Sequence, residues 1–185
     1  KLKLLPSTGT PRFSKKASEK KDVIGYYPGC SLHGKAREYN ASTVAVFRKL
    51  GVKLEEPKDW SCCGSTPAHS TDHYASILHP VKNIVAMQQK GFKRITTPCP
   101  SCFLRLRAGV NESGKEGIKN KLLQDIHELP SPEVKIDHLL STVVEQFGFQ
   151  GVAKNVIRPL QGMNVACYYG CIITRPPKIT KVTDY

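Results

Sequence analysis

The sequence contains no apolar run near the roughly 20 residues that a membrane-spanning helix needs, and residues 1–22 hold no apolar core of the secretory type. Acidic residues are scarce: 15 Asp and Glu stand against 28 Lys and Arg, and the formal net charge is +13. Aromatic residues make up 8% of the chain and no nucleic-acid-binding motif is recognisable. We therefore expect a cytoplasmic protein that neither spans a membrane nor binds nucleic acid.

The basic excess lies in the N-terminal half of the chain. Residues 1–110 hold 19 Lys and Arg against seven Asp and Glu, whereas the remainder is nearly balanced. Residues 1–22 combine clustered lysines with Pro and Gly and little apolar periodicity, so we interpret them as a basic N-terminal tail. An excess of positive charge favours an anionic partner, such as a small acidic substrate or an acidic protein subunit.

Seven cysteines stand at positions 30, 62, 63, 99, 102, 167 and 171. Their odd number and the missing secretory signal argue against a framework of disulfides. Thiolates are soft ligands that select zinc, copper or iron–sulfur clusters. The cysteines therefore favour a metal site in a reducing compartment.

Strand and helix signals alternate along the chain. An apolar strand is predicted at 23–27 and two further short strands at 52–55 and 94–97. Helices are predicted at 36–50, 72–91, 103–110, 118–128 and 138–147, with Pro80 restarting the second helix. This alternation predicts an α/β fold with a parallel sheet and helices on its faces. Residues 163–171 repeat the strand, Tyr pair, Gly and Cys of residues 23–30, which predicts the opening of a second unit.

Five of the cysteines follow the predicted strands in the pattern C-x(31)-C-C-x(35)-C-x-x-C. Loops that follow parallel strands meet at one edge of the sheet, where α/β proteins bind ligands, so these thiols are expected to converge. Five thiolates exceed the four that a tetrahedral zinc or a simple cubane cluster takes. The adjacent pair Cys62 and Cys63 suits different irons of a more open cluster better than two corners of a cubane. A zinc site remains the alternative.

Four segments resemble the CCG (cysteine-rich) domain family, with the B subunit of heterodisulfide reductase and its bacterial homologues as the nearest members. They are Tyr-Pro-Gly-Cys-Ser-Leu-His-Gly (27–34), Trp-Ser-Cys-Cys-Gly (60–64), Cys-Pro-Ser-Cys (99–102) and Gly-Met-Asn-Val-Ala-Cys-Tyr-Tyr-Gly-Cys-Ile-Ile-Thr-Arg-Pro-Pro (162–177). Members carry two such domains in tandem. Beyond the basic tail at 1–22, the resemblance implies a first CCG domain at 23–150, and a linker with the start of a second, incomplete CCG domain at 151–185.

The resemblance also implies a cofactor and an activity. A non-cubane 4Fe–4S cluster would be bound by Cys30, Cys62, Cys63, Cys99 and Cys102. In the family such clusters bind and reductively cleave a small anionic disulfide, such as that of coenzyme M and coenzyme B. Electrons come from a ferredoxin-like and a flavin-containing subunit of the same complex. The first hypothesis is therefore an oxidoreductase subunit that reduces a disulfide at its cluster.

Two rival functions stay open. The chain could be an electron-transfer or anchoring CCG subunit of another redox complex, such as a succinate or fumarate reductase, or a basic zinc-stabilised module that binds nucleic acid. Three residues remain. His33 is a weak candidate for a catalytic proton donor, and Cys167 is expected to be a small buried residue within a strand. Cys171 is expected to be the first ligand of a second cluster, incomplete here. A ferredoxin-like partner with an acidic surface is expected to face residues 1–110.

Overall fold

A computed structural model of the chain describes residues 23–65, 67–168 and 170–181. The predicted N-terminal tail, residues 1–22, lies outside these residues. Within them, four strands form one sheet: β1 (Val23–Tyr26), β2 (Lys53–Glu55), β3 (Arg94–Thr97) and β4 (Lys135–His138). All three pairings are parallel and the order is β2-β1-β3-β4. The predicted α/β fold with a parallel sheet is confirmed.

Helices connect the strands and cover both faces of the sheet. They are α1 (Gly29–His33), α2 (Arg37–Lys49), α3 (Pro67–Thr71), α4 (Ala75–Gln89), α5 (Pro100–Ser113), α6 (Glu116–Ile126) and α7 (Leu139–Ala153), followed by a 3-10 helix (Cys171–Ile173) and α8 (Pro177–Thr180). The predicted helices agree with these within a few residues, except that α5 begins three residues earlier and α7 continues past Gly148, where the backbone kinks.

Strand residues alternate between two apolar layers, as the period of two in a strand requires. On one face Ile24 of β1 packs with Phe47 of α2 and Leu139 of α7. On the other face Tyr27 and Ile95 pack with side chains of α4 and α5, among them Ile84, Met87, Phe103 and Leu106. The cysteine-bearing loops leave the sheet above this second layer, which also includes Cys63 and Cys102.

Helix α4 runs through Pro80 without restarting there, contrary to the expectation from sequence. Proline has no N–H, so the carbonyl of Ser76, four residues earlier, loses its helical partner. The guanidinium of Arg105 on α5 donates to that carbonyl, with 2.5 Å between Nη2 and the oxygen. Helix α5 passes close to Pro80 at Gly109, where an added Cβ would lie 3.1 Å from the Pro80 ring. The neighbouring helix thus supplies the donor that proline lacks.

No strand forms over the described residues 163–168, although the sequence predicted one there. A strand needs a hydrogen-bonded neighbour, and in this part of the chain the four-stranded sheet pairs with nothing further. Cys167 is consequently exposed, and the prediction that it is a buried residue within a strand is wrong. Tyr168 beside it is also almost fully exposed.

His138 is the last residue of β4 and the N-cap of α7. Because its ring is buried, we expect the stability of the protein to depend on pH. Nε2 donates to the carbonyl of Pro98 at 3.0 Å, while Nδ1 accepts from the N–H of Leu140 at 3.3 Å. Burial lowers the pKa of His138 from its ordinary 6.5, although the bond to Pro98 opposes this. The unfolded chain therefore binds more protons below pH 6.5, and the free energy of unfolding falls as the pH falls through this range.

We expect His138→Asn to flatten this acid-side slope, because asparagine also caps helices but does not titrate. One proton corresponds to a slope of about 1.4 kcal/mol per pH unit, which is the upper limit of the difference. Urea titrations of both proteins between pH 4 and 8 measure it. Parallel stability curves would show that folding does not lower the pKa of His138.

Candidate metal centre

The strand order brings three cysteine-bearing loops to one edge of the sheet. Strand β1 lies between β2 and β3, and all three run in the same direction. Cys30 lies in the first turn of α1 after β1, Cys62 and Cys63 lie in the loop after β2, and Cys99 and Cys102 begin α5 after β3. The five thiols therefore follow three adjacent strand ends.

The five thiols differ in their exposure. Cys63 and Cys102 are buried in the apolar layer around Tyr27, and Cys99 is half-buried against the same layer. Cys30 and Cys62 are exposed. The neighbours Cys62 and Cys63 thus occupy different environments, one facing solvent and the other facing the core.

Three of the thiols hydrogen-bond with one another. The bonds of Cys102 to Cys63 and Cys99 raise the pKa of Cys102, and burial raises it further. The bond to Cys102 lowers the pKa of Cys63, against the effect of burial. The pKa of Cys99 falls to about 6 because Cys102 donates to it; burial opposes this, and the backbone N–H groups of Cys102 and Ser101, in the first turn of α5, support it. The start of this helix therefore favours a thiolate at its N-cap, Cys99.

Tyr27 lies at the centre of the cysteine loops. Burial raises the pKa of its hydroxyl, and the repulsion that Cys102, Cys63, Cys62 and Cys30 would exert when ionised raises it further. Its ring is fully buried and stands edge-on to the ring of Trp60, with 5.4 Å between the centroids. These two rings form an apolar base that keeps water from the inner side of the thiols.

The donor atoms and the charge around the buried thiols suit an anionic metal cluster. Gly29 has a φ of +73°, and an added Cβ would lie 2.6 Å from Sγ of Cys102, so only glycine fits beside this thiol. The positive charge of Arg105 helps to lower the pKa of Cys63, and its Nε is buried without a hydrogen-bond partner. A soft, all-sulfur donor set with a nearby cation matches what an iron–sulfur cluster needs.

Among the described residues, no three Cys, His, Asp or Glu side chains are already spaced for a metal ion. Thiolates are the metal ligands, so loading a metal has to replace the bonds between Cys102, Cys63 and Cys99 and release their protons. The five thiols suit an iron–sulfur cluster in their chemistry and in their common location. The distances between their sulfur atoms change when the metal replaces the protons.

His33 takes part in a hydrogen-bonded network with Glu56 and Trp60 beside the cysteine loops. Its Nε2 lies 2.7 Å from Oε1 of Glu56, which also accepts from Nε1 of Trp60 at 2.6 Å. The rings of His33 and Trp60 lie 5.4 Å apart. Glu56 therefore joins the segment after Cys30 to the segment before Cys62.

Two arginines near the end of the cysteine motif have different surroundings. Arg105 acts on Cys63 as described above, whereas Arg107 donates to the carbonyls of Ile136 and Ile179, away from the thiols. Cys171 begins the 3-10 helix, which packs against α5, and its side chain is exposed.

Two site residues, Glu56 and Asn83, were missed at the level of sequence. Asn83 is buried on α4 and binds the backbone of Ser61. One sequence signal could have identified it: a lone amide stands between Pro80, Ile84 and Met87 at the spacing of an apolar helical face. A polar residue at such a position needs a buried partner.

The amino-acid sequence of residues 24–107 matches the cysteine-rich domain family CCG. These residues form a CCG domain. All five clustered cysteines lie within its limits, and Cys167 and Cys171 lie outside them.

Relatives of the chain include subunits of oxidoreductase complexes. The 8-methylmenaquinol:fumarate reductase membrane anchor subunit of Wolinella succinogenes is 30% identical over 160 residues, which are 84% of this chain and 54% of that protein. A protein of Archaeoglobus profundus that is similar to the heterodisulfide reductase B subunit is 21% identical over 166 residues, with 84% and 53% covered. The B subunit of the ferredoxin/F(420)H(2)-dependent CoB-CoM heterodisulfide reductase of Methanosarcina acetivorans is 20% identical over 159 residues, again 84% and 53%.

The chain thus spans about half the length of these relatives. It is homologous to subunits of oxidoreductase complexes. In the part of the chain that the structure describes, every helix is too short or too polar to cross a bilayer.

Proposed function

We propose that this chain is the electron-transfer or anchoring CCG subunit of an oxidoreductase complex of the fumarate reductase kind, and that its CCG domain holds a non-cubane 4Fe–4S cluster. The observation that carries this proposal is the set of five thiols at one sheet edge, graded from buried to exposed. Over about 160 aligned residues the fumarate reductase subunit is 30% identical to the chain, against 21% and 20% for the two relatives of the heterodisulfide reductase B-subunit kind. This difference favours the fumarate reductase kind over the disulfide reductase that we predicted first.

The proposed ligands are the five cysteines of the CCG domain: Cys30, Cys62, Cys63, Cys99 and Cys102. A closed zinc site takes four ligands, so the fifth thiolate favours an iron–sulfur cluster over zinc. Such a cluster, when bound, accepts and passes on single electrons. Trp60 and Tyr27 exclude water from its inner side, and the N–H groups at the start of α5 and the guanidinium of Arg105 offset its negative charge.

Disulfide reduction is the second candidate, and the exposure of Cys30 and Cys62 favours it, because a small disulfide could reach this side of the site. Reduction of one disulfide consumes two electrons and two protons and yields two thiols. In this version the electrons come from a ferredoxin-like subunit, which receives them from a flavin-containing one. His33 stays a weak candidate for a proton donor, because its ring faces Glu56 and not a cysteine.

Three exposed basic side chains beside the cysteine loops suit either an acidic subunit or an anionic disulfide. Lys35 and Arg37 are exposed in the segment after Cys30, and Lys58 is exposed in the segment before Cys62. We propose that the ferredoxin-like partner docks an acidic surface here, which places its own cluster within electron-transfer reach of the thiols.

The second CCG domain predicted from residues 151–185 also stays a proposal. Its support is the covered share of the relatives, which is close to half. In that arrangement Cys171 would be the first ligand of a second cluster.

Anaerobic purification followed by iron, sulfide and zinc analysis and by EPR spectroscopy tests the function. We expect about four irons and four sulfides per CCG site and a reducible signal. A colourless protein that contains zinc instead would overturn the cluster assignment.

The same preparation separates the two candidate activities. It is given a dithionite-reduced viologen dye and a small anionic disulfide, with the intact complex as reference. Electron acceptance without thiol release supports the electron-transfer subunit, and stoichiometric release of two thiols supports the disulfide reductase.

A further inference from the structure

The backbone of Ser61, the residue before Cys62, is held by two buried side chains from other parts of the fold. Its N–H donates to Oδ1 of Asn83 at 2.8 Å, and its carbonyl accepts from Nδ2 of Asn83 at 2.9 Å. The same carbonyl accepts from the hydroxyl of Tyr27 at 2.6 Å. Nδ2 of Asn83 also lies 3.4 Å from that hydroxyl. One amide thus binds both polar backbone groups of a single loop residue.

The burial of these polar side chains indicates that their hydrogen bonds to Ser61 matter for the structure. Asn83 is 3% exposed and Tyr27 is fully buried, and a buried amide without partners costs free energy. Asn83 lies on the apolar face of α4, where an aliphatic residue would pack without a polar demand. Its hydrogen bonds to the backbone go to one residue of the cysteine loop. We therefore infer that Asn83 stabilises the conformation of this loop.

Fixing both groups of Ser61 fixes the direction in which the chain enters the cysteine pair. From that point Cys63 turns into the apolar layer beside Cys102, while Cys62 stays exposed. A rotation of the Ser61 peptide would change which of the two neighbouring thiols, Cys62 or Cys63, is exposed and which is buried. The geometry therefore links an amide on α4 to the different exposure of two adjacent thiols.

We propose that Asn83, assisted by the Tyr27 hydroxyl, is a positioning residue that holds Cys63 inward and Cys62 outward for cluster binding. The inference rests on the proposed cluster site for its purpose, but the placement of the two thiols is a property of the chain alone. Glu56 supports the same loop from outside through Trp60, and its half-exposed position makes that support weaker.

The test compares three variants in protein stripped of metal with a chelator. Asn83→Ala removes the amide, and the milder Tyr27→Phe removes only the hydroxyl. Gln88→Ala is the matched control: it removes an amide of the same helix that binds another loop, where the Ser131 N–H donates to it at 2.7 Å. The readout is the rate at which iodoacetamide alkylates Cys63 in the folded protein, followed by peptide mass spectrometry.

We expect Asn83→Ala to raise the Cys63 rate on the order of tenfold and Tyr27→Phe about threefold, because the loop opens more often when it loses hydrogen bonds. Gln88→Ala should leave the rate unchanged. An unchanged Cys63 rate in Asn83→Ala, or an equal increase in Gln88→Ala, would overturn the proposal. If Asn83→Ala does not fold, Tyr27→Phe against Gln88→Ala gives the decision.

A second readout separates this inference from the proposed function. In cluster-loaded protein, Tyr27→Phe should shift the EPR spectrum while keeping the wild-type iron content, whereas Gln88→Ala should shift neither. If the wild-type chain binds no iron but the alkylation pattern holds, the positioning role stands and the cluster proposal fails. If iron binds and the Cys63 rate does not respond to Asn83 or Tyr27, the cluster proposal stands and the positioning role fails.

Discussion

Serine in place of Cys63 is expected to abolish cluster assembly, with iron and sulfide content falling to background. The hard hydroxyl oxygen is a poor replacement for a soft thiolate. Cys63 is also buried beside Cys102, so its hydroxyl would sit in an apolar layer without solvent to compensate. For Cys62→Ser we expect a smaller effect, a converted or weakly bound cluster, because this side chain is exposed and a hydroxyl stays hydrated there.

Cys167→Ser is the matched control for both variants. Cys167 is exposed and lies outside the CCG domain, so its replacement should leave iron content and the EPR signal unchanged. If Cys62→Ser and Cys63→Ser both keep the wild-type iron content and EPR signal, the assignment of five ligands is wrong.

The second large effect is expected from Gly29→Ala. Its φ of +73° disfavours any side chain by about 1 to 2 kcal/mol. The new Cβ would also lie 2.6 Å from Sγ of Cys102, and relieving such overpacking costs about 1 to 3 kcal/mol more. Because the relief has to move either α1 or Cys102, we expect both a lower free energy of unfolding in urea and a loss of iron binding.

Gly51→Ala separates the two costs. Gly51 has a similar φ of +81°, but an added Cβ would meet nothing within 4 Å. This variant should lose only the backbone contribution of about 1 to 2 kcal/mol and bind metal normally. Equal losses of stability in the two variants would show that the contact with Cys102 does not matter.

The sequence allowed prediction of the elements whose pattern is local. Strand β1 is a short apolar run, β3 is rich in β-branched residues, and the helices show apolar spacing of 3 to 4 residues, so these elements follow from local patterns. Strand β4 was missed because its residues Lys135, Asp137 and His138 look polar. The structure buries two of these: Asp137 pairs with Arg94, 3.2 Å from Nε to Oδ2, and His138 caps α7. Such compensation depends on partners some 40 residues away.

The sequence likewise predicted one part of the candidate site, the cysteines, but not the polar residues that support them. The meeting of five cysteines at one sheet edge followed from strand order and spacing, because loops after adjacent parallel strands are neighbours. The polar groups behind the loops could not be found like this. Glu56 and Asn83 act through hydrogen bonds that only the folded chain brings together, and neither has a motif of its own.

The proline inside α4 has a consequence for how the domain folds. Helix α4 alone leaves the Ser76 carbonyl without a hydrogen-bond donor, because the donor is Arg105 of α5. The two helices therefore gain stability as one cooperative unit rather than in sequence. Cys102 and Arg105 lie one turn apart on α5, so the event that docks this helix also delivers a thiol and its compensating charge together. If α5 did not dock, the Ser76 carbonyl of α4 would lack its hydrogen bond and Cys102 would be missing from the set of thiols. Correct packing of α5 and the ability to bind a metal are therefore coupled.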